Sequence, residues 1–254
     1  ELVAKGRSPL LLGSLAIEHA ATPQEVWYNS AFLVDPVTGT QSDYYAKRKL
    51  VPFGEYVPLR PLLGWLQKVV PVGSEDISAG TEPRLLETTM RDVPVSMGVL
   101  ICYEDIFPGL ARDSVLTGAD VLVVLTNNGW FGENGAAYQH AAHSVLRAVE
   151  TRRPVLRAGN GGWSGWIDEF GVIKAVATDP EHGIYFRGVR AAEVQRDFRW
   201  VDKNSFYVEY GNWFIVLCAG LVVFAGALLR AAPNPPDETG EAAAADASDP
   251  TPSS

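Results

Sequence analysis

Apolar residues in this 254-residue chain fall into short runs separated by Gly, Pro, Asn and Asp. Residues 121–126 (VLVVLT) predict a strand buried on both faces, because apolar and β-branched side chains follow one another without alternation. Residues 93–109 (VPVSMGVLICYEDIFPG) predict a second buried strand that ends at Cys102 and is followed by an acidic pair and a Pro-Gly turn. This pattern places a thiol at the end of a strand.

The remaining apolar runs predict further strands and helices. Strands are expected at 9–17, 26–34, 155–158, 163–168, 172–177 and 184–189, and helices at 110–117 and 136–153. We expect residues 9–17 to form a central strand. Residues 59–92 are poorly patterned apart from a short helix predicted at 62–70. Strands that alternate with helices and then follow one another indicate a layered α/β domain.

Residues 44–58 (YYAKRKLVPFGEYVP) have no regular period. They combine aromatic residues with three cations, two prolines, a glycine and Glu55. Such a composition is typical of a shaped loop that carries side chains into a site.

Residues 213–229 (WFIVLCAGLVVFAGALL) contain no charged residue. As a helix they would extend roughly 25 Å, close to the thickness of a bilayer core. A buried core helix is the alternative, but Trp213 and Arg230 at the two ends favour a membrane span. The acidic segment 231–254 is rich in Ala and Pro and is expected to be disordered.

Composition adds few constraints. The net charge is −9, but residues 231–254 carry five acidic residues without Lys or Arg, so little excess charge remains for the rest. The basic surface of a nucleic-acid-binding protein is not indicated. Cys102 and Cys218 lie in very different surroundings, which disfavours a structural disulfide.

A lone cysteine at a strand end is by default a small buried hydrophobe. The neighbouring acidic residues, the helix that follows and the cations Lys47 and Lys49 favour a reactive thiolate instead. His140 and His143 suggest two alternatives, a Cys–His catalytic pair or a metal site. No third ligand lies at metal-site spacing from them, so we interpret both histidines as structural. No metal and no cofactor is expected.

Three segments, YYAKRKLVPFGEYVP, GVLICYEDIFPG and NNGWFGENGAAYQH, resemble the carbon–nitrogen hydrolase (nitrilase) superfamily. Within it they resemble the membrane branch, the apolipoprotein N-acyltransferases, over about residues 9–230. The resemblance implies a nitrilase-like four-layer α-β-β-α sandwich in residues 1–210, lacking its first elements. A transmembrane helix at 211–230 and the disordered tail at 231–254 would follow.

The resemblance also implies roles for individual residues. Cys102 would be the nucleophile and Lys47 the catalytic lysine, with Glu55 as the second essential glutamate. The supporting positions are Tyr103 and Glu104 after the nucleophile, Trp130 on a loop near the acyl chain, and Asn29 in the site wall.

The implied reaction is acyl transfer from a phospholipid, through a cysteine thioester, to the amino terminus of a diacylglyceryl-modified apolipoprotein. The protein would lie in the bacterial inner membrane with its catalytic domain facing the periplasm. An amidase that passes the acyl group to water, and a non-catalytic remnant, remain alternatives.

One feature of the family has no counterpart in this sequence. The general-base glutamate lies some thirty residues before the strand that corresponds to residues 9–17, whereas Glu1 is too close and Glu18 and Glu25 lie beyond that strand. We therefore expect a carboxy-terminal part of an acyltransferase that is inactive by itself.

Overall fold

The computed structural model describes residues 8–59 and 77–231. The helix predicted at 62–70 and the tail beyond residue 231 lie outside the described residues. The chain divides into two units, Glu1–Gly211 and Asn212–Ser254.

The described residues of the first unit form two β-sheets. In chain order the strands are β1 (Leu10–Glu18), β2 (Val26–Asp35), β3 (Gly39–Ala46), β4 (Ile77–Ser78), β5 (Leu85–Met90), β6 (Val93–Ile101), β7 (Val121–Asn127), β8 (Val155–Asn160), β9 (Gly165–Ile167) and β10 (Ile173–Val176). The first sheet has the order β1-β2-β3, with β4 pairing parallel to β2. The second has the order β10-β9-β8-β7-β6-β5, and its centre, β6-β7-β8, is parallel.

Side chains of β7 point alternately to two cores. Val123 packs with Leu33 of β2 and Val99 of β6 between the two sheets. Leu122 and Val124 face the opposite side and pack against helices. The uninterrupted apolar sequence of this strand is therefore explained by burial on both faces, as predicted.

The described residues of this unit form three helices, namely α1 (Pro108–Leu116), α2 (Ala136–Thr151) and α3 (Phe206–Tyr210). Buried residues of all three belong to the hydrophobic core that also contains Leu100, Leu122 and Val124 of the second sheet. Gly98 of β6 permits the close approach of α1, because a Cβ there would lie 2.7 Å from Ser114 Cβ. The described residues thus supply sheet, sheet and helix layers, and the predicted α/β sandwich is confirmed.

Most predicted elements lie within a few residues of the observed ones, but several expectations were wrong. The segment 9–17 forms β1, which pairs only with β2 among the described strands and so is not central. Residues 184–189 form no strand. Strand β5 was not predicted, and β3 continues through residues 44–46, where only a loop was expected.

The second unit contains helix α4 (Trp213–Ala231). It has 19 residues and a mean hydropathy of 2.3 over its most apolar window, none of which is buried. In the part of the chain that the structure describes, α4 alone is long and apolar enough to cross a membrane. An unburied apolar helix disfavours the alternative of a soluble core helix.

Candidate active site

Cys102 follows the last residue of β6 directly. Its φ of +52° places it in the left-handed region, and it begins a 3-10 turn, Cys102–Ile106, that leads into α1. This conformation costs a non-glycine residue roughly 1–2 kcal/mol, so neighbouring contacts must hold it. The side chain is partly exposed, and both cysteines are free thiols. The predicted placement of the thiol at a strand end is confirmed.

Lys47 lies just beyond β3 and is almost completely buried, at 1% exposure. Its Nζ donates to Glu55 Oε1 at 2.8 Å and to Glu55 Oε2 at 2.7 Å. Asn29 Nδ2 donates to Glu55 Oε1 at 2.8 Å, and the Val51 amide donates to Oε2 at 2.8 Å. The structure therefore joins three predicted site residues, Lys47, Glu55 and Asn29, in one cluster. The Lys47–Glu55 pair is removed from solvent, since the Lys47 side chain is 1% exposed and that of Glu55 16% exposed.

Glu104 connects the cysteine turn to the loop that follows Lys47. Its buried carboxylate accepts four hydrogen bonds, from Tyr45 Oη (2.8 Å) and the backbone amides of Ile101 (2.8 Å), Arg48 (2.6 Å) and Lys49 (3.0 Å). Burial raises the pKa of Glu104, because these uncharged donors offset only part of the cost of burying a carboxylate. With all four lone-pair directions occupied, the Glu104 carboxylate holds the two segments together.

Arg48 and Lys49 of this loop make further contacts with the cysteine turn and with α1. Arg48 Nη1 donates to Asp113 Oδ2 at 3.0 Å, and its Nη2 donates to the Leu110 carbonyl at 3.2 Å, so the loop is tied to α1. Tyr103 packs edge-on against Phe107 with ring centroids 5.0 Å apart. Lys49 Nζ lies 6.0 Å from the centroid of the same Phe107 ring.

Asp105 is the centre of a second buried network, which the sequence did not predict. Its Oδ2 accepts from Ser144 Oγ at 2.9 Å and from Arg157 Nη1, while His140 Nε2 lies 2.8 Å from Oδ1. Burial by itself raises the pKa of Asp105, but His140 and Arg157 outweigh it, and the pKa lies below its ordinary value. The signal in the sequence is Arg157, a cation inside an apolar strand, because a buried guanidinium requires a counter-charge.

His140 also contacts the nucleophile turn and the following loop. Its Nε2 donates to the Cys102 carbonyl at 3.1 Å, and its Nδ1 lies 3.1 Å from Asn128 Oδ1. Within residues 8–59 and 77–231 no group of three or more His, Cys, Asp or Glu could hold a metal ion. The ring joins two loops at the carboxyl ends of β6 and β7.

Trp130 lies in the short 3-10 turn Gly129–Phe131, after β7. Its side chain is 80% exposed, and that of Phe131 is 53% exposed. Large apolar side chains that are exposed to water are typical of a surface that binds an apolar partner, such as a lipid or another protein. The predicted role of Trp130 near an acyl chain stays a prediction.

A family model for carbon–nitrogen hydrolases matches residues 2–197. The chain therefore belongs to the carbon–nitrogen hydrolase family. Among curated proteins it is similar to the apolipoprotein N-acyltransferases of Geobacter metallireducens and Chlorobaculum tepidum. The first is 40% identical over 80% of this chain and 36% of the relative, and the second is 39% identical over 76% of this chain and 35% of the relative.

The similarity extends to relatives of lower sequence identity. The apolipoprotein N-acyltransferase of Bdellovibrio bacteriovorus is 31% identical over 87% of this chain and 40% of the relative. Among solved structures, an amidase from Nesterenkonia sp. is 17% identical, with a TM-score of 0.48 over 69% of this chain and 59% of the amidase chain. The predicted resemblance is confirmed, and the chain spans well under half the length of these three curated relatives.

Proposed function

We propose that this chain is the nucleophile-bearing part of an apolipoprotein N-acyltransferase. The carrying observation is the buried Lys47–Glu55–Asn29 cluster, which Glu104 ties to the turn that begins at Cys102. We propose that the Lys47 ammonium acts on the acyl group carried by Cys102, because an ammonium placed there can stabilise the oxyanion of an acyl-transfer intermediate. The sequence similarity to enzymes of that name supports the acyl-transfer assignment.

The proposed reaction has two steps. The Cys102 thiolate attacks the ester carbonyl of a phospholipid, the acyl C–O bond breaks, and the leaving lysophospholipid oxygen takes a proton. The α-amine of a diacylglyceryl-cysteine then attacks the thioester, the C–S bond breaks, and the amine gives up a proton as the thiolate is regenerated. Covalent catalysis divides a difficult amide synthesis into two easier steps.

The general base is expected to be none of the three buried or half-buried carboxylates. Glu55 is occupied by Lys47, Glu104 by four donors, and Asp105 by Ser144 and Arg157. A base must be free to accept the proton of the reacting group. We therefore expect the proton acceptor outside this set of three carboxylates.

The proposed location follows from the substrates. Both are lipid-anchored, so an enzyme tethered by helices such as α4 meets them at the bilayer surface. We propose residues 1–210 as the catalytic domain, facing the periplasm, 211–230 as an inner-membrane span, and 231–254 as a tail.

The nucleophile is tested by trapping the acyl-enzyme. Full-length protein is incubated with a phospholipid radiolabelled in its acyl chain, and a hydroxylamine-sensitive labelled adduct is expected on the protein. Cys102→Ala abolishes the adduct, whereas the matched variant Cys218→Ala retains it. An adduct that persists in Cys102→Ala overturns the assignment, and an adduct that is released to water but never to a lipoprotein amine supports an amidase.

A further inference from the structure

His140 touches the backbone of the proposed nucleophile through the nitrogen that must carry a hydrogen. Its Nε2 lies 3.1 Å from the Cys102 carbonyl oxygen and 2.8 Å from Asp105 Oδ1. A carbonyl oxygen and an ionised carboxylate only accept hydrogen bonds, so Nε2 is the donor. The protonation of this nitrogen is therefore fixed by its two neighbours.

The acceptor is the carbonyl of a strained residue. Cys102 is a non-glycine residue at φ +52°, which persists only where the surroundings over-determine it. The orientation of the Cys102 peptide sets where Sγ points from the end of β6. A hydrogen bond to that carbonyl opposes relaxation of the turn.

The donor itself is held rigidly. His140 lies in α2 with a side chain that is only 12% exposed. Asp105, its anionic neighbour, is fixed by Ser144, by Arg157, and by Arg147 Nη1, which donates to the Asp105 backbone carbonyl at 3.1 Å. Because His140 and its neighbour Asp105 are both held in place, the position of α2 determines where the His140 Nε2–H meets the Cys102 carbonyl.

The other ring nitrogen reaches the loop that carries Trp130. His140 Nδ1 lies 3.1 Å from Asn128 Oδ1, and Asn128 directly precedes the 3-10 turn Gly129–Phe131. The same Asn128 oxygen accepts from Thr126 Oγ1 at 3.1 Å, which fixes the amide against β7. One imidazole therefore spans the cysteine turn and the base of this loop.

We propose that His140 is a positioning residue for the nucleophile, which uses Nε2–H to hold the Cys102 peptide in its left-handed conformation. The proposal rests on Cys102 being the nucleophile of the proposed function. His140 touches no reacting atom itself. An ordinary core histidine would contribute stability alone, whereas a positioning histidine also determines the reactivity of the thiol.

Two amide substitutions distinguish the contribution of His140 Nε2 from that of Nδ1. In His140→Gln the terminal amide nitrogen can occupy the place of Nε2, whereas in His140→Asn the shorter amide reaches only the place of Nδ1. His140→Phe removes both. The readout is the rate of alkylation of Cys102 by iodoacetamide in the full chain, with Cys218→Ser as the parent background, and it requires no lipid substrate.

His140→Gln is expected to alkylate within about twofold of the parent, and His140→Asn and His140→Phe about tenfold more slowly, the factor expected for one lost hydrogen bond to a buried carbonyl. His143→Phe, on the same helix, and Ala148→Gly, which destabilises that helix, serve as controls and keep the parent rate. The unfolding free energy of each variant is measured by urea titration.

Three results overturn the proposal. The first is an alkylation rate like that of the parent in all His140 variants. The second is slow alkylation of His140→Gln together with a normal rate for His140→Asn. The third is an alkylation rate that falls with the unfolding free energy in every variant, Ala148→Gly included. Acyl-adduct formation is scored separately. Loss of the adduct with the expected alkylation pattern therefore refutes the proposed function and not the positioning of Cys102.

Discussion

Glu104 and Asp105 are adjacent and equally buried, but their environments have opposite effects. Glu104 meets only uncharged donors, and its pKa is raised. Asp105 faces Arg157 and His140, and its pKa is lowered. The comparison shows that the counter-charge, and not the degree of burial, decides whether a carboxylate in this interior prefers its ionised form.

The two carboxylates also face different parts of the molecule. Glu104 binds the end of β3 and the loop after Lys47, so it joins the two sheets next to the proposed catalytic lysine. Asp105 binds α2 and β8, so it joins the helix layer to the second sheet. The turn after the nucleophile therefore anchors Cys102 in two directions at once.

The largest expected effect comes from Asp105→Asn. The substitution keeps the shape of the side chain but leaves the guanidinium of Arg157, whose side chain is fully buried, without its counter-charge. Breaking a buried ion pair from one side costs about 3–5 kcal/mol of unfolding free energy. Urea denaturation of the variant measures this loss.

Asp113→Asn is the matched control for that experiment. Asp113 pairs with Arg48 at 3.0 Å but is 44% exposed, so its removal costs no more than about 1 kcal/mol. Equal losses in the two variants would show that the Arg157 pair is worth no more than a surface pair.

A smaller loss is expected for Glu104→Gln. Placing the amide nitrogen at the Oε2 position lets the Tyr45 hydroxyl turn and accept, but the Ile101 amide then has no acceptor. One orphaned buried amide costs about 1–3 kcal/mol, and removal of a buried charge offsets part of this. Urea denaturation gives the loss, with the exposed Glu82→Gln as control. A loss as large as that of Asp105→Asn would contradict the distinction between the two carboxylates.

How far these features follow from sequence differs between elements. The strands β6 and β7 and the position of Cys102 were predictable, because their apolar runs reflect burial on both faces. The hairpin β5–β6 was missed since Arg91 and Asp92 both adopt positive φ, at a turn where Asn-Gly is the usual signal. Strand order, and the place of β1 at the end of the order β1-β2-β3 among the described strands, depend on pairing partners, which a local pattern does not contain.

The candidate site, too, could be predicted from sequence only in part. Lys47, Glu55 and Asn29 were singled out by resemblance, and the structure places them in mutual contact. The network of Asp105, His140 and Arg157 joins residues up to 52 positions apart, so no spacing rule reveals it. His140 was interpreted as structural, and its contacts with the Cys102 carbonyl, Asp105 and Asn128 became visible only in the structure.

The smallest expected effect is a pH dependence of opposite sign at the two carboxylates. Glu104 has a pKa raised above its ordinary 4.5, so the folded state gains stability from this group as the pH falls through the raised value. Asp105 has a pKa lowered below its ordinary 3.8, so its contribution is complete above 3.8 and is lost only as the pH falls through the lowered value.

Urea midpoints of the two variants and the parent at about pH 7, 5 and 3 test these signs. The loss of stability in Glu104→Gln relative to the parent grows as the pH falls from about 7 to about 5. The variant cannot bind the proton at residue 104 that stabilises the folded parent. The stability deficit of Asp105→Asn stays constant there and shrinks only at the most acidic condition, which lies below 3.8, because the unfolded parent then binds a proton at Asp105 more readily than the folded parent does. If both deficits change in the same direction over the same interval, burial alone governs the two groups, and the distinction drawn from Arg157 and His140 fails.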